Sequence, residues 1–190
     1  MNSNKIYLLA DPVYSSEPAT KNYVDRKILN LTFLSYVGHI PPLERPISKT
    51  GFIVSTSSNY DDLLHQGWRA FSNKTKEWAT QGEGAGAWIQ ISCPTAVTIW
   101  KLRLTGRKIS DEQFATWKLS GGRVVNDAIV FDDIHTENTR SNSDIKDFLI
   151  HASRAYHIYR LTALTADGTN IGLSYFQIYM YIKNYYGVVA

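Results

Sequence analysis

A chain of 190 residues holds one ordinary domain and an appendage. Its 44% hydrophobic and 19% charged residues exclude wholesale disorder, and a net charge of only +3, with Lys and Arg scattered, argues against nucleic-acid binding. Aromatic residues at 13%, including 12 tyrosines, suit an all-β core or a surface that stacks on sugars or partners.

Residues 1–37 read differently from the rest. The apolar run Ile6–Ala10 is too short for a secretion signal or a membrane span, so synthesis and folding in a cytosol, without membrane insertion, are expected. Asp11-Pro12 marks a turn. Ser16 is placed to cap a helix with Glu17 and Pro18 in its first turn, running over about residues 17–33. Val24, Ile28 and Leu31 make a narrow apolar stripe, with the Lys21–Asp25 pair opposite. A helix this short needs something to pack on: the chain's own body or copies of itself. Pro41-Pro42 and Pro46 then make residues 38–50 an extended linker.

From Gly51 onward strands follow closely. Residues 52–56 form the first, and 67–71 and 77–80 read as short strands or bridges. Ala87, Ile89, Ile91 and Cys93 alternate with Trp88, Gln90 and Ser92, the period of a half-buried strand. After a turn at Pro94-Thr95, Trp100, Leu102 and Leu104 share a face while Lys101 and Arg103 point away; Ile99 is out of phase, the mark of a bulge. Further strands are expected at 114–119, 128–131, 147–151, 156–163 and 175–182, with 132–144 a polar loop and 183–190 a tail. Short strands separated by turn chemistry predict a mainly β sandwich or barrel over residues 51–182. Cys93, the only cysteine, can form no intrachain disulfide and falls on the expected inward face.

The stretch from Asp11-Pro12 to Ala19-Thr20-Lys21-Asn22-Tyr23-Val24-Asp25 resembles a segment common in tail-fibre and related virion proteins of bacteriophages. There it typically begins a helix in a trimeric stalk. The resemblance implies a virion component, built in the host cytoplasm, that self-associates as a homotrimer through its N-terminal helix.

The later motifs, in their order, resemble the galactose-binding-like jelly roll of discoidin (factor type C) domains and their carbohydrate-binding relatives. The residues that carry this are Ala70-Phe71-Ser72-Asn73 with Trp78; Ala87–Ile91; Ile99–Leu104 with Gly106-Arg107; Trp117–Gly122; Ala155–Leu161; and Leu173–Tyr179. Two positions depart from the family. Ser72-Asn73 stands where the family usually has Asp-Gly, whose oxygens can hold calcium, so no metal is expected. Tyr175 stands where a glutamate is frequent.

No catalytic constellation emerges. No Gly-x-Ser-x-Gly surrounds a serine, and His39, His65, His135, His151 and His157 lack metal-ligand spacing. Asp61-Asp62, Asp111-Glu112 and Asp132-Asp133 read as solvated loop acids. Gly82-x-Gly84-x-Gly86 lacks the Lys-Ser/Thr and helix of a phosphate loop. A non-enzymatic protein without cofactor is expected.

In the fold that the resemblance implies, loops at one end carry the ligand. These are residues 57–66, 80–86 and 106–112, with Tyr60, His65, Gln81, Glu83, Arg107 and Lys108. Tyr60, His65 and Arg107 combine an aromatic face with fixed hydrogen-bonding groups, as a sugar requires. Arg107 could equally bridge to an acid. Among the tryptophans, which suit core or strand-face positions, Trp78 is the foremost candidate for stacking. The expected function is a bacteriophage fibre, tail or capsid appendage whose jelly roll binds a host-surface carbohydrate. The alternative is a structural adaptor or decoration protein whose jelly roll binds other virion proteins.

Overall fold

Strand β4 (Trp88–Gly106) organises the fold, and its two halves belong to different sheets. In the computed structural model, which describes residues 36–61, 64–72, 77–109 and 111–182, the first half lies between β2 (Ile53–Thr56) and β8 (Tyr156–Ala166). Beyond Val97 the strand runs between β9 (Gly172–Ile182) and β7 (Lys146–Leu149). The register shifts between Ser92 and Val97. Pro94-Thr95, expected as a turn between two strands, is therefore a corner at which one strand passes between layers. A proline, lacking a ladder donor, is tolerated at such an irregularity.

The first sheet continues from β8 to β5 (Phe114–Val125) and β6 (Ala128–Glu137); the second adds β1 (Tyr36–His39) and β3 (Trp78–Ala79) on β9. Both sheets send side chains into one core. Ile89 and Ile91 enter from the first half of β4, Leu102 and Leu104 from the second, and all four are buried with Trp117, Tyr159, Phe176 and Ile178. Each such side chain contributes roughly 1.5–3 kcal/mol through loss of apolar surface to water. A mainly β sandwich, as expected, is thus the fold of the described residues. Cys93 lies inward as expected, and burial pushes its thiol up to about 12.

Several elements differ from expectation. Ile40 and Leu43, within the stretch read as a linker, are buried, and their N–H groups donate to Ile178 and Phe71 carbonyls, both at 3.1 Å. That stretch packs on the sandwich because its apolar residues flank the prolines. Residues Gly67–Phe71 form a 3-10 helix rather than a strand. β6 runs on to Glu137 through the stretch expected as loop, and β5 continues through Gly121-Gly122. The two meet at Asn126-Asp127, whose positive φ values (50° and 62°) make a tight two-residue hairpin. The bulge signalled by Ile99 is present as a register shift between Ile99 and Lys101. It keeps Ile99 in the core and leaves Trp100 partly exposed, outside the face of Leu102 and Leu104. The expected helix over residues 17–33 and the tail 183–190 lie outside the described residues.

Candidate functional site

The loops after β2, between β3 and β4, between β4 and β5, and between β8 and β9 meet at one end of the sandwich. Polar groups lace them together. Gly82 N–H donates to Asn170 Oδ1 (2.7 Å) and Gly172 N–H to Glu112 O (3.0 Å). The buried Thr80 hydroxyl accepts from Ile171 N–H (2.9 Å) and donates to Glu83 O (2.5 Å). Gln81 N–H, on its exposed loop, donates to Ser58 Oγ (3.3 Å). Lys108 is exposed nearby in sequence to Arg107.

Tyr60 and His65 come together on this end. Tyr60 N–H donates to Ala79 O (2.8 Å), and His65 O accepts from Ala79 N–H (3.4 Å), so β3 pins both ends of their loop. Asp61 accepts backbone N–H bonds from Leu64 and from His65 (3.1 Å). Its other oxygen lies 2.9 Å from His65 Nδ1. That contact favours the tautomer with Nδ1–H donating, which leaves Nε2 as the acceptor of the neutral ring. The Tyr60 ring stands edge-on to His65, with centroids 5.5 Å apart and planes at 79°, and Tyr60 is 50% exposed. Asp61, which sequence reasoning set aside as a solvated acid, is what fixes His65.

Trp78 and Arg107, the other two candidates, are buried beneath these loops. Trp78 is fully buried, rests near Phe114, and donates from Nε1 to Ser58 O (3.1 Å). It supports the Tyr60 loop from below. Arg107 is only 8% exposed. Its Nη2 pairs with Glu77 Oε1 at 2.6 Å and its Nη1 with Glu112. Ser174 Oγ donates to the other Glu77 oxygen (3.0 Å), and Gln113 Nε2 donates to Arg107 O (3.0 Å). Burial pushes the Glu77 carboxyl up, but the Arg107 and Ser174 hydrogen bonds and the charges of Arg107 and His65 outweigh it and hold it below its ordinary value. Gly172 makes room for this ion triad: a Cβ there would lie 2.3 Å from Trp78 O and 2.4 Å from Arg107 Cδ.

The arrangement offers a half-exposed phenol ring, an oriented imidazole and carboxylates held by neighbours. Rings lie against sugar C–H faces and fixed acceptors take hydroxyl protons. Among the described residues no three His, Cys, Asp or Glu side chains cluster as metal ligands, and no helix is long and apolar enough to cross a membrane.

Solved structures share this fold. The family 32 carbohydrate-binding module of Clostridium perfringens NanJ, solved with galactose, has a TM-score of 0.57 at 12% identity, covering 67% of this chain and 93% of that one. Chitosan-binding module 1 of a Paenibacillus sp. IK-5 chitosanase/glucanase gives 0.57 at 18% identity, with 70% and 96% covered. A factor 5/8 type C domain from Bacteroides fragilis gives 0.59 at 16%, with 71% and 95% covered. At these identities the likeness establishes the fold. No curated protein matches the chain by sequence. The family described as a domain of unknown function, DUF7402, matches residues 53–179, most of the sandwich and well over half of the sequence, and the chain belongs to that family.

Proposed function

We propose that the domain is a non-catalytic carbohydrate-binding module, reading sugar at the loop end through Tyr60 and His65. The observation that carries this is the half-exposed Tyr60 ring set edge-on to a His65 already oriented by Asp61. Support comes from the shared fold, since relatives of that fold were solved with galactose and with GalNAc-β-1,3-galactose. The bacteriophage-like segment Asp11–Asp25 supports a finer reading: a virion appendage, homotrimeric through its N-terminal helix, with the sandwich turned toward a host-surface glycan. A glycan array tests it. Wild-type protein should give signals on a defined set of glycans, and Tyr60→Ala should lower them roughly tenfold, since a stacked ring contributes about 0.5–1.5 kcal/mol beyond its area burial. A uniformly blank array from folded protein overturns it.

One observation favours an adaptor role instead. At the other end of the strands, the β5–β6 hairpin exposes Val124 (64%), Ile129 (51%) and Val130 (38%) around its turn. An apolar tip of this kind suits contact with another virion protein. Affinity for a purified virion partner that is lost in Ile129→Asp and kept in Tyr60→Ala would select this reading.

A further inference from the structure

On the outer face of the first sheet, two residues along the strands from the row of Trp88, whose carbonyl accepts from Ser57 N–H (3.0 Å) where the Tyr60 loop begins, Arg160 has a distinctive environment. It stands on β8 between Gln90 of β4 and Ser120 of β5. Its guanidinium carbon lies 4.3 Å from the Trp88 ring centroid and 4.1 Å from that of Phe131. The two rings approach from opposite directions along the strands: Trp88 is in the row of Thr162, and Phe131 is in the row of Gly122 and Ile158. Gly122 lets Phe131 lie close, since a Cβ there would stand 2.9 Å from the ring.

Gln90 holds the guanidinium from one edge. Its Oε1 accepts Nε–H at 3.0 Å and an Nη2–H at 2.7 Å. Gln90 is itself only 8% exposed, and its Nε2 donates to Ser55 Oγ at 3.4 Å. Both Nη1 hydrogens and the second on Nη2 have no partner among the described residues, and these form the two-pronged edge that fits a carboxylate or sulfate.

Among the described residues no acid answers the charge. Asp133 is bound to Lys118 (3.0 Å) and to Ser120 (2.8 Å), and Asp132 to Arg123 (3.2 Å). By contrast, Arg103, Arg107, Arg123 and Arg140 each pair with a carboxylate. Burial without a counter-charge draws the Arg160 pKa down from its ordinary value. Two rings and one amide thus fix a cation that lacks its anion, and rings stacked on a guanidinium tolerate that state because their faces are negative.

We propose that Arg160, clasped by Trp88 and Phe131 and aimed by Gln90, is a second binding site that takes the oxyanion of an acidic glycan, either a uronic acid carboxylate or a sulfate ester. This site is independent of the loop-end reading. Trigalacturonate and galactose 6-sulfate, each titrated into the full chain with Trp fluorescence and calorimetry as readouts, distinguish the two sources of the oxyanion. At least one should bind, weaken with added salt, and perturb Trp88 emission. Arg160→Gln should lower that affinity roughly tenfold or more, as loss of charge-assisted hydrogen bonds does. Arg160→Lys, which keeps charge but loses the fork, should recover only part of it. Tyr60→Ala should leave acidic-probe binding unchanged, so failure here and failure at the loop end are separable. Equal affinity in wild type and in Arg160→Gln that retains the wild-type near-ultraviolet circular dichroism, or no binding of either probe to wild type, overturns the proposal.

Discussion

Arg107, 8% exposed between Glu77 and Glu112, joins the start of β3 to the β4–β5 loop, and Ser174 ties the same cluster to β9. Removing one partner of a buried pair leaves the others' charges uncompensated, so Arg107→Met should cost about 3 kcal/mol in urea unfolding. A change under about 0.5 kcal/mol would contradict the strut role. Glu77 adds a pH dependence. Its folded pKa lies below its ordinary 4.5, so its stabilisation is fully present above that pH and is lost as pH falls through the folded value. Glu77→Gln should therefore flatten the decline of the urea midpoint with acid below about pH 4.5. An unchanged decline would place the acid sensitivity elsewhere. Tyr60 and His65 were legible as loop residues with sugar-compatible chemistry. Glu77, Glu112 and Ser174 were not, because they become one cluster only when the segment before β3, the β4–β5 loop and β9 converge, and separations of that length carry no periodicity.

At the scale of elements, alternation found the buried face of β4 because each half has one face in the core. Ile89 and Ile91, then Leu102 and Leu104, obey the period of two, and the phase slip at Ile99 marked the bulge between them. What alternation could not say was that the bulge turns Trp100 outward, toward Tyr179 and Tyr181 (ring centroids 5.8 and 6.4 Å away). The strand expected at 128–131 is the first part of β6; its continuation over 132–137 escaped notice because that half carries acids, an imidazole and a hydroxyl, while its pairing with β5 is backbone hydrogen bonding that side-chain pattern does not encode. The hairpin turn is testable. Asp127 sits at φ 62°, where a β-branched side chain is strained, so Asp127→Val should destabilise by roughly 1–2 kcal/mol while Asp127→Gly is tolerated. Equal thermal midpoints for the two variants would contradict the turn geometry.

Taken whole, the sandwich separates its surfaces by direction. One end gathers the loops of Tyr60 and His65; the other carries the β5–β6 hairpin and the last residues of β9. Since Ile40 and Leu43 belong to the core, a chain shortened to begin at Gly51 should lose stability, whereas one beginning at Tyr36 should fold. Light scattering of the full chain against the chain from Tyr36 tests the proposed homotrimer: three copies for the first and one for the second are expected. Monomers in both cases would remove the segment before Tyr36 as an assembly seam.

The loop-end reading meets its most direct test in amide-resolved nuclear magnetic resonance of the labelled chain titrated with a galactose-terminated oligosaccharide. The account predicts saturable shifts at Tyr60, His65, Gln81 and Gly82, with the strand amides of Ile91 and Leu102 unmoved. Shifts absent from those loops at saturating sugar, or confined to the opposite end around Val124 and Ile129, would contradict it.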